Sequence, residues 1–89
     1  MTSTINLLKK IAEERGIKYE VLPSGVIILI NKDNKAYLQA SAVGDAYYIR
    51  YLLRDSAFVV RKLNRKIAED IVEEKLKEDG EIVIKISVG

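Results

Sequence analysis

Basic side chains that could bind phosphate are concentrated in one part of this 89-residue chain. Residues 46 to 66 hold six lysines and arginines and a single acid, and four of the cations close the stretch: Arg61, Lys62, Arg65 and Lys66. We expect these four to lie between a strand and the start of a helix, where free backbone N–H groups and the helix dipole add to the cationic side chains. The stretch therefore predicts a contact with the phosphate backbone of a nucleic acid.

The same cations have a structural alternative. Arg65 and Glu69 are four residues apart, as are Lys66 and Asp70, and opposite charges at that spacing pair along a helix. The acids that follow could in principle share a metal ion, but we interpret them as a solvated helix face and expect no metal site. This acid run comprises Glu69, Asp70, Glu73, Glu74, Glu78 and Asp79.

Tyrosines form a second cluster with arginines a little earlier in the chain. Tyr48 and Tyr51 alternate there with Arg50 and Arg54, and Tyr47 precedes them. Tyrosine rings stack on bases and arginine contacts phosphate, which is how single strands are commonly bound. Both residue types are also favoured at protein interfaces, and some of the rings must belong to the core. These four residues are candidate nucleic-acid contacts, with core or dimer contact as the alternative.

Two missing residue types exclude several kinds of site. The chain has no cysteine and no histidine, so Cys/His zinc sites, cysteine nucleophiles and histidine general bases are impossible. We expect no catalysis and no cofactor. The longest apolar run, residues 26–30, is far shorter than the ~20 residues of a membrane span, and the start lacks the pattern of a signal peptide. We expect a cytoplasmic protein without membrane contact, and the charged, cysteine-free composition fits a heat-adapted source.

The periodicity predicts one small α+β domain with the order α-β-β-β-α-β-α-β and helices packed on a mixed sheet. A first helix, capped by Ser3 or Thr4, ends at Gly16. Strands are predicted over residues 17–22, 26–30, 36–40, 57–61 and 81–88, and a helix closed by Gly80 over residues 67–77. The run 26–30 is almost entirely β-branched, which predicts a strand buried on both faces.

Residues 46–54 fit two structures. Asp45 can cap a helix and Arg50 and Arg54 are spaced i, i+4, whereas alternate residues from Tyr47 onward fit a strand. We prefer the helix. Because a chain of this length without disulfide bonds has a small core, we also expect a homodimer through the tyrosine-rich segment, the last strand, or both.

From residue 36 onward, this order of strand, helix, strand, helix, strand resembles the Alba family of small dimeric nucleic-acid-binding proteins. The sequence FVVRKLNRKI at residues 58–67 is similar to that family's apolar strand, basic loop and helix start. Asn64 takes the place of the family's glycine, and asparagine tolerates positive φ. The resemblance implies that Arg61, Arg65 and Lys66 contact backbone phosphates. The family's paired lysines are absent from the loop at residues 41–45, and its final strand is missing.

The first half resembles a different class. A helix, three strands, a helix and a strand is the core order of restriction-endonuclease-like nucleases, including Holliday-junction resolvases. Their metal-binding acids are absent from residues 26–29 and 39–41, which implies a catalytically inactive relative. A double-stranded-RNA-binding domain is a third, fainter resemblance. Together these observations predict a non-catalytic protein that binds DNA or RNA without sequence preference. The alternative is a protein–protein interaction module or a small regulatory or viral accessory protein.

Overall fold

The computed structural model describes residues 4–86, with side chains from residue 5. Two helices and six strands follow one another within these residues. They are α1 (Thr4–Glu14), β1 (Lys18–Val21), β2 (Ile27–Ile30), β3 (Ala36–Val43), β4 (Ala46–Tyr51), β5 (Ser56–Val60), α2 (Arg65–Val72) and β6 (Val83–Ile86). The strands form one sheet in chain order, and every neighbouring pair is antiparallel. The α+β class is confirmed, whereas the sheet is antiparallel and not mixed. The predicted order differs at one element, the second helix, where the alternative of a strand is confirmed.

Helix α1 forms where apolar residues recur at helical spacing. Leu8, Ile11 and Ala12 are fully buried and lie on one face of the helix. The helix ends as predicted at Gly16, whose φ of +68° lets the N–H of Ile17 donate to the Ala12 carbonyl at 2.8 Å. The predicted caps, Ser3 and Thr4, lie outside the described side chains. No helix within residues 4–86 is long and apolar enough to cross a membrane.

Both helices pack on the same face of the sheet. Leu8 and Ile11 of α1 and Ile71 of α2 belong to one buried cluster with side chains from the strands. Two buried tyrosines join the sheet to the end of α2: the hydroxyl of Tyr37 donates to the Val72 carbonyl at 3.1 Å, and that of Tyr51 to the Ile71 carbonyl at 2.7 Å. These bonds use carbonyls at the C-terminal end of the helix, where partners are otherwise scarce.

The segment predicted as a helix over residues 46–54 is strand β4. Its register with β3 pairs Val43 with Ala46, so Gly44 and Asp45 form a two-residue hairpin loop. Gly44 has φ +63°, which such a loop requires. Asp45 is thus a turn residue and not a helix cap. Pairing with a strand on each side overrides the local helix signal.

The prediction that the apolar run at residues 26–30 is buried on both faces is also wrong. Ile27 and Leu29 are fully buried, whereas Ile28 and Ile30 are only half-buried. Because both helices lie on one side of an antiparallel meander, no helix within residues 4–86 covers the second face of this interior strand.

Helix α2 is shorter than predicted, because it ends at Val72. Glu74 adopts φ +59°, the N–H of Lys75 donates to the Asp70 carbonyl at 2.8 Å, and the backbone turns away from the helix axis. Gly80 therefore does not close the helix, although Leu76 still packs against the core as expected. The last strand spans Val83–Ile86, and the predicted residues 87 and 88 lie outside the described part.

Candidate nucleic-acid interface

The face of the sheet opposite the helices is the open face. Residues paired across neighbouring strands share a face, so the register defines its rows. One row runs Ile28, Gln39, Arg50, Ala57 and Ile86, and the next runs Ser41, Tyr48, Val59 and Ile84. Lys18, Glu20 and Ile30 complete the open face on its β1 side.

This surface is apolar on both flanks and polar in the middle. Ile28 and Ile30 form the flank on β2, while Val59, Ile84 and Ile86 form the flank on β5 and β6. These five side chains are half-buried and none of them belongs to the core cluster or packs against it. Strands β3 and β4 place Gln39, Ser41, Tyr48 and Arg50 between the flanks. The open face can therefore offer apolar contact, hydrogen bonds and positive charge side by side.

The tyrosine cluster is divided between the two faces by the alternation of β4. Tyr51 is 2% exposed, its ring meets Phe58 edge-on at 6.0 Å, and burial raises the pKa of its hydroxyl. The prediction that Tyr51 contacts nucleic acid is wrong, because the ring is part of the core. Tyr47 also packs partly against the core. Tyr48 alternates to the open face, where it lies two residues from Arg50 on the same strand.

Several of the predicted cations already have acidic partners. Arg65 donates to Glu14 of α1 and to Glu69 at 3.1 Å, and its guanidinium holds the pKa of the Glu14 carboxyl below its ordinary value. Lys66 donates to both carboxylate oxygens of Asp70 at 3.1 Å. These contacts confirm the ion pairs that the i, i+4 spacing predicted as an alternative, and they offset the charge of both cations.

Arg54 is likewise paired on the covered side of the molecule. It donates to Glu74 at 3.4 Å and lies 5.9 Å from the centre of the Tyr51 ring. With Tyr51 buried, this contact belongs to the packing near the end of α2. Arg54 therefore lies apart from Tyr48 and Arg50, although the three are close in sequence.

Of the predicted cations, Arg50, Arg61 and Lys62 are exposed and have no ion pair within residues 4–86, and we call them the unpaired cations. Arg50 lies near the middle of the open face. Arg61 directly follows β5, and its N–H extends the ladder by donating to the Ile82 carbonyl at 2.8 Å. Arg61 is therefore an exposed residue at the end of the β5–β6 ladder.

The start of α2 differs from the predicted phosphate site. Asn64 has φ −139° and accepts a hydrogen bond from the N–H of Ile67 at 2.9 Å. It is therefore an N-cap that occupies one of the helix's free donors, and the expectation of a positive φ at this position is wrong. With Arg65 and Lys66 paired to acids, the helix start offers less to an anion than the sequence predicts.

The acid run is largely neutralised by neighbouring cations. Arg15 contacts both Glu69, at 3.5 Å, and Glu73, and this hydrogen bonding lowers the pKa of the Glu73 carboxyl. Lys75 also pairs with Glu73 at 3.0 Å. Within the described residues, no three acids lie together as they would in a metal site.

A groove of about 760 Å³ opens beside the end of α2, away from the middle of the open face. Ile17, Tyr37, Leu53 and Val72 supply apolar lining, and the paired Arg15 and Glu73 lie at its border. Lys18 and Lys32 also line the groove, and neither has an ion pair within residues 4–86. The groove therefore combines one paired arginine with two unpaired lysines, apart from Tyr48 and Arg50.

Comparison with known proteins assigns no family. No protein-family model, curated protein or solved structure matches the chain. The Alba-like, endonuclease-like and double-stranded-RNA-binding resemblances depend on an order of elements that the structure does not have, because five strands precede α2.

Sequence reasoning missed part of the open face. Gln39, Ser41, Val59 and Ile84 were not predicted as site residues, yet they surround Tyr48 and Arg50. The alternation of apolar and other residues over 82–88 was visible in the sequence. What the sequence did not show is that neither helix covers the outward residues.

Proposed function

We propose that the protein is a small non-catalytic, cytoplasmic nucleic-acid-binding protein that contacts the phosphate backbone without sequence preference. The observation that carries the proposal is the set of exposed, unpaired cations, with Arg50 near the middle of the open face and Arg61 and Lys62 directly after β5. Phosphate contacts dominate sequence-independent binding, and they need cations that are not already neutralised.

Arg54, Arg65 and Lys66 have a smaller part in this proposal than their positions in the sequence predicted. Each would have to give up an acidic partner before contacting a phosphate. The gain in free energy would then be reduced by the cost of breaking the existing pair. The unpaired cations incur no such cost.

The second candidate function is a protein–protein interaction module. The apolar flanks support it, since Ile28, Ile30, Ile84 and Ile86 are more apolar than a phosphate backbone requires. A homodimer also remains a prediction. Edge pairing through β6 is disfavoured by its four-residue length and by Lys85, features that protect sheet edges.

Binding should be measured by fluorescence anisotropy with labelled duplex DNA, single-stranded DNA and RNA over a series of salt concentrations. The test variant is R50Q/R61Q, and the matched control is R54Q/R65Q, which removes the same charge from paired arginines. The slope of log affinity against log salt should become shallower by ~0.7 to 0.9 for each phosphate that the variant no longer neutralises. We expect that change in the test variant and a slope near the parent's in the control.

Two results would contradict the proposal. One is the absence of binding to all three nucleic acids at low salt, which would favour the protein-interaction alternative. The other is an equal weakening in both double variants, which would show that net charge and not the position of the cations determines affinity. Far-ultraviolet circular dichroism should confirm that both variants are folded.

A further inference from the structure

We propose that the open face binds an unpaired strand of DNA or RNA, with a base stacked on Tyr48 and phosphates at Arg50 and Arg61. This inference rests on the proposed function and specifies its ligand. It depends on two further observations: the position of Tyr48 between two unpaired arginines, and the apolar side chains beside the ring.

The backbone positions of the three residues form a line across β4 and the end of β5. Arg50 and Tyr48 are two residues apart on one strand, which separates them by ~7 Å. Tyr48 pairs with Val59, and Arg61 is two residues beyond Val59, so the backbones of Arg50 and Arg61 are ~14 Å apart on either side of Tyr48. An aromatic platform flanked by cations that follow the backbone is the arrangement by which proteins bind single strands.

The neighbours of Tyr48 favour bases over a duplex surface. Val59 lies opposite the ring on β5, Ile84 lies beyond it on β6, and Ser41 lies opposite on β3. Unstacked bases gain from apolar contact and can use the Ser41 hydroxyl and the nearby Gln39 amide as hydrogen-bonding partners. A duplex presents phosphates and sugars to a flat surface, and contact between these groups and apolar side chains adds little binding free energy.

Neither helix could enter a groove of duplex DNA from this side. Both helices pack on the opposite face and contribute to the core. Major-groove recognition requires a helix or a two-stranded ribbon that projects into the groove. A broad sheet surface fits a strand laid across it.

A second copy of the chain is a poorer occupant of the same surface. Two-fold symmetry brings a patch against itself, and Arg50 lies near the middle of the open face. Packing centred there would bring the Arg50 side chains of both copies together in a desolvated interface, where unpaired charges are costly. An anionic strand supplies the charge that a second copy lacks.

The experiment compares parent, Tyr48→Val and Tyr48→Phe proteins by fluorescence anisotropy. Four probes are used: oligothymidine, oligouridine, an abasic oligomer and a duplex. Each single strand has about 15 nucleotides, which exceeds most single-strand site sizes. Valine is a good strand former and removes the ring, whereas phenylalanine retains the ring without the hydroxyl. The oligothymidine and oligouridine arms separate DNA from RNA.

We expect Tyr48→Val to weaken binding to either single strand roughly 5- to 150-fold, the effect associated with one stacked base. Tyr48→Phe should bind like the parent. The abasic oligomer, which keeps the phosphates and lacks the bases, should bind the parent as weakly as the single strand binds Tyr48→Val. If Tyr48→Val does not fold, the comparison of base-containing and abasic oligomers on the parent still tests the inference.

The inference is overturned if the parent binds abasic and base-containing oligomers equally, or if duplex binds more tightly than single strands. Either result leaves the proposed function in place, because phosphate binding persists. An absence of binding to every probe instead removes the proposed function itself. Analytical sedimentation tests for a second copy on this face. If the parent is a dimer and Ile84→Lys is a monomer, a second copy occupies the open face and the inference is overturned.

Discussion

The two faces of the sheet use similar residues for different purposes. On β2, Ile27 and Leu29 point to the helices and are fully buried, while Ile28 and Ile30 point away and are only half-buried. On β4, Tyr51 is part of the core, whereas Tyr48 lies on the open face. Neighbouring residues of the same type therefore differ in role only because helices cover one face, and the face without helices is the one available for recognition.

The largest expected difference between the faces is in core packing. Ile27→Ala should lower the free energy of unfolding by about 2 to 5 kcal/mol, because the removed side chain leaves a cavity. Ile28→Ala, the matched change on the open face, should cost clearly less. Urea denaturation of both variants measures this difference.

Equal destabilisation of the two alanine variants would contradict the comparison. It would mean that the open face is buried under the conditions of the experiment. Repeating the denaturation at several protein concentrations would then identify self-association, because the midpoint of a dimer depends on concentration.

A smaller difference is expected between the tyrosines of β4. Tyr51→Phe removes the donor to the Ile71 carbonyl, which keeps the hydrogen bond from the N–H of Glu74 at 3.2 Å. Losing the buried hydrogen bond from Tyr51 should cost about 1 kcal/mol. Tyr48→Phe should leave stability near the parent's. Thermal unfolding followed by circular dichroism compares the two, and a large destabilisation in Tyr48→Phe would place its hydroxyl in a structural contact.

The smallest expected effect concerns the charges that join the helices above the covered face. Arg65 lowers the pKa of Glu14, so this pair contributes its full stability at neutral pH. The contribution declines as the pH falls below the ordinary glutamate pKa of ~4.3 and is lost once the pH passes below the folded-state pKa. Glu14→Gln should therefore lower Tm slightly at neutral pH, by less than either change above.

The difference in Tm between Glu14→Gln and the parent should disappear in acid, once the pH is below the lowered pKa of Glu14 in the folded state. Glu78→Gln is the control, since Glu78 has no ion pair in the described part of the chain. A Tm difference that persists unchanged in acid would show that Glu14 acts through packing and not through its charge.

Local signals in the sequence predicted several features correctly. Gly16 ends α1, and the ion pairs of Arg65 with Glu69 and of Lys66 with Asp70 form as their spacing indicated. Each depends on residues that are close in sequence. The residue types alone were sufficient to predict them.

Features that depend on distant parts of the chain could not be predicted in this way. Glu14 and Arg65 are 51 residues apart, and no periodicity indicates that they meet. Residues 46–54 carry both helix and strand signals, and only pairing with β3 and β5 decides between them. The position of both helices on one face likewise determines which half of the candidate site is accessible.

The meander also affects the order in which the chain can fold. Each strand pairs with its neighbour in sequence, and only α2 interrupts the series, between β5 and β6. Closing such short loops costs little entropy, and contacts that are local in sequence favour fast folding. Helix α1, in contrast, must reach α2 across more than half of the chain. A sheet that forms before α1 docks exposes apolar residues on both faces, so the rate of helix docking determines how long the folding chain is prone to aggregate.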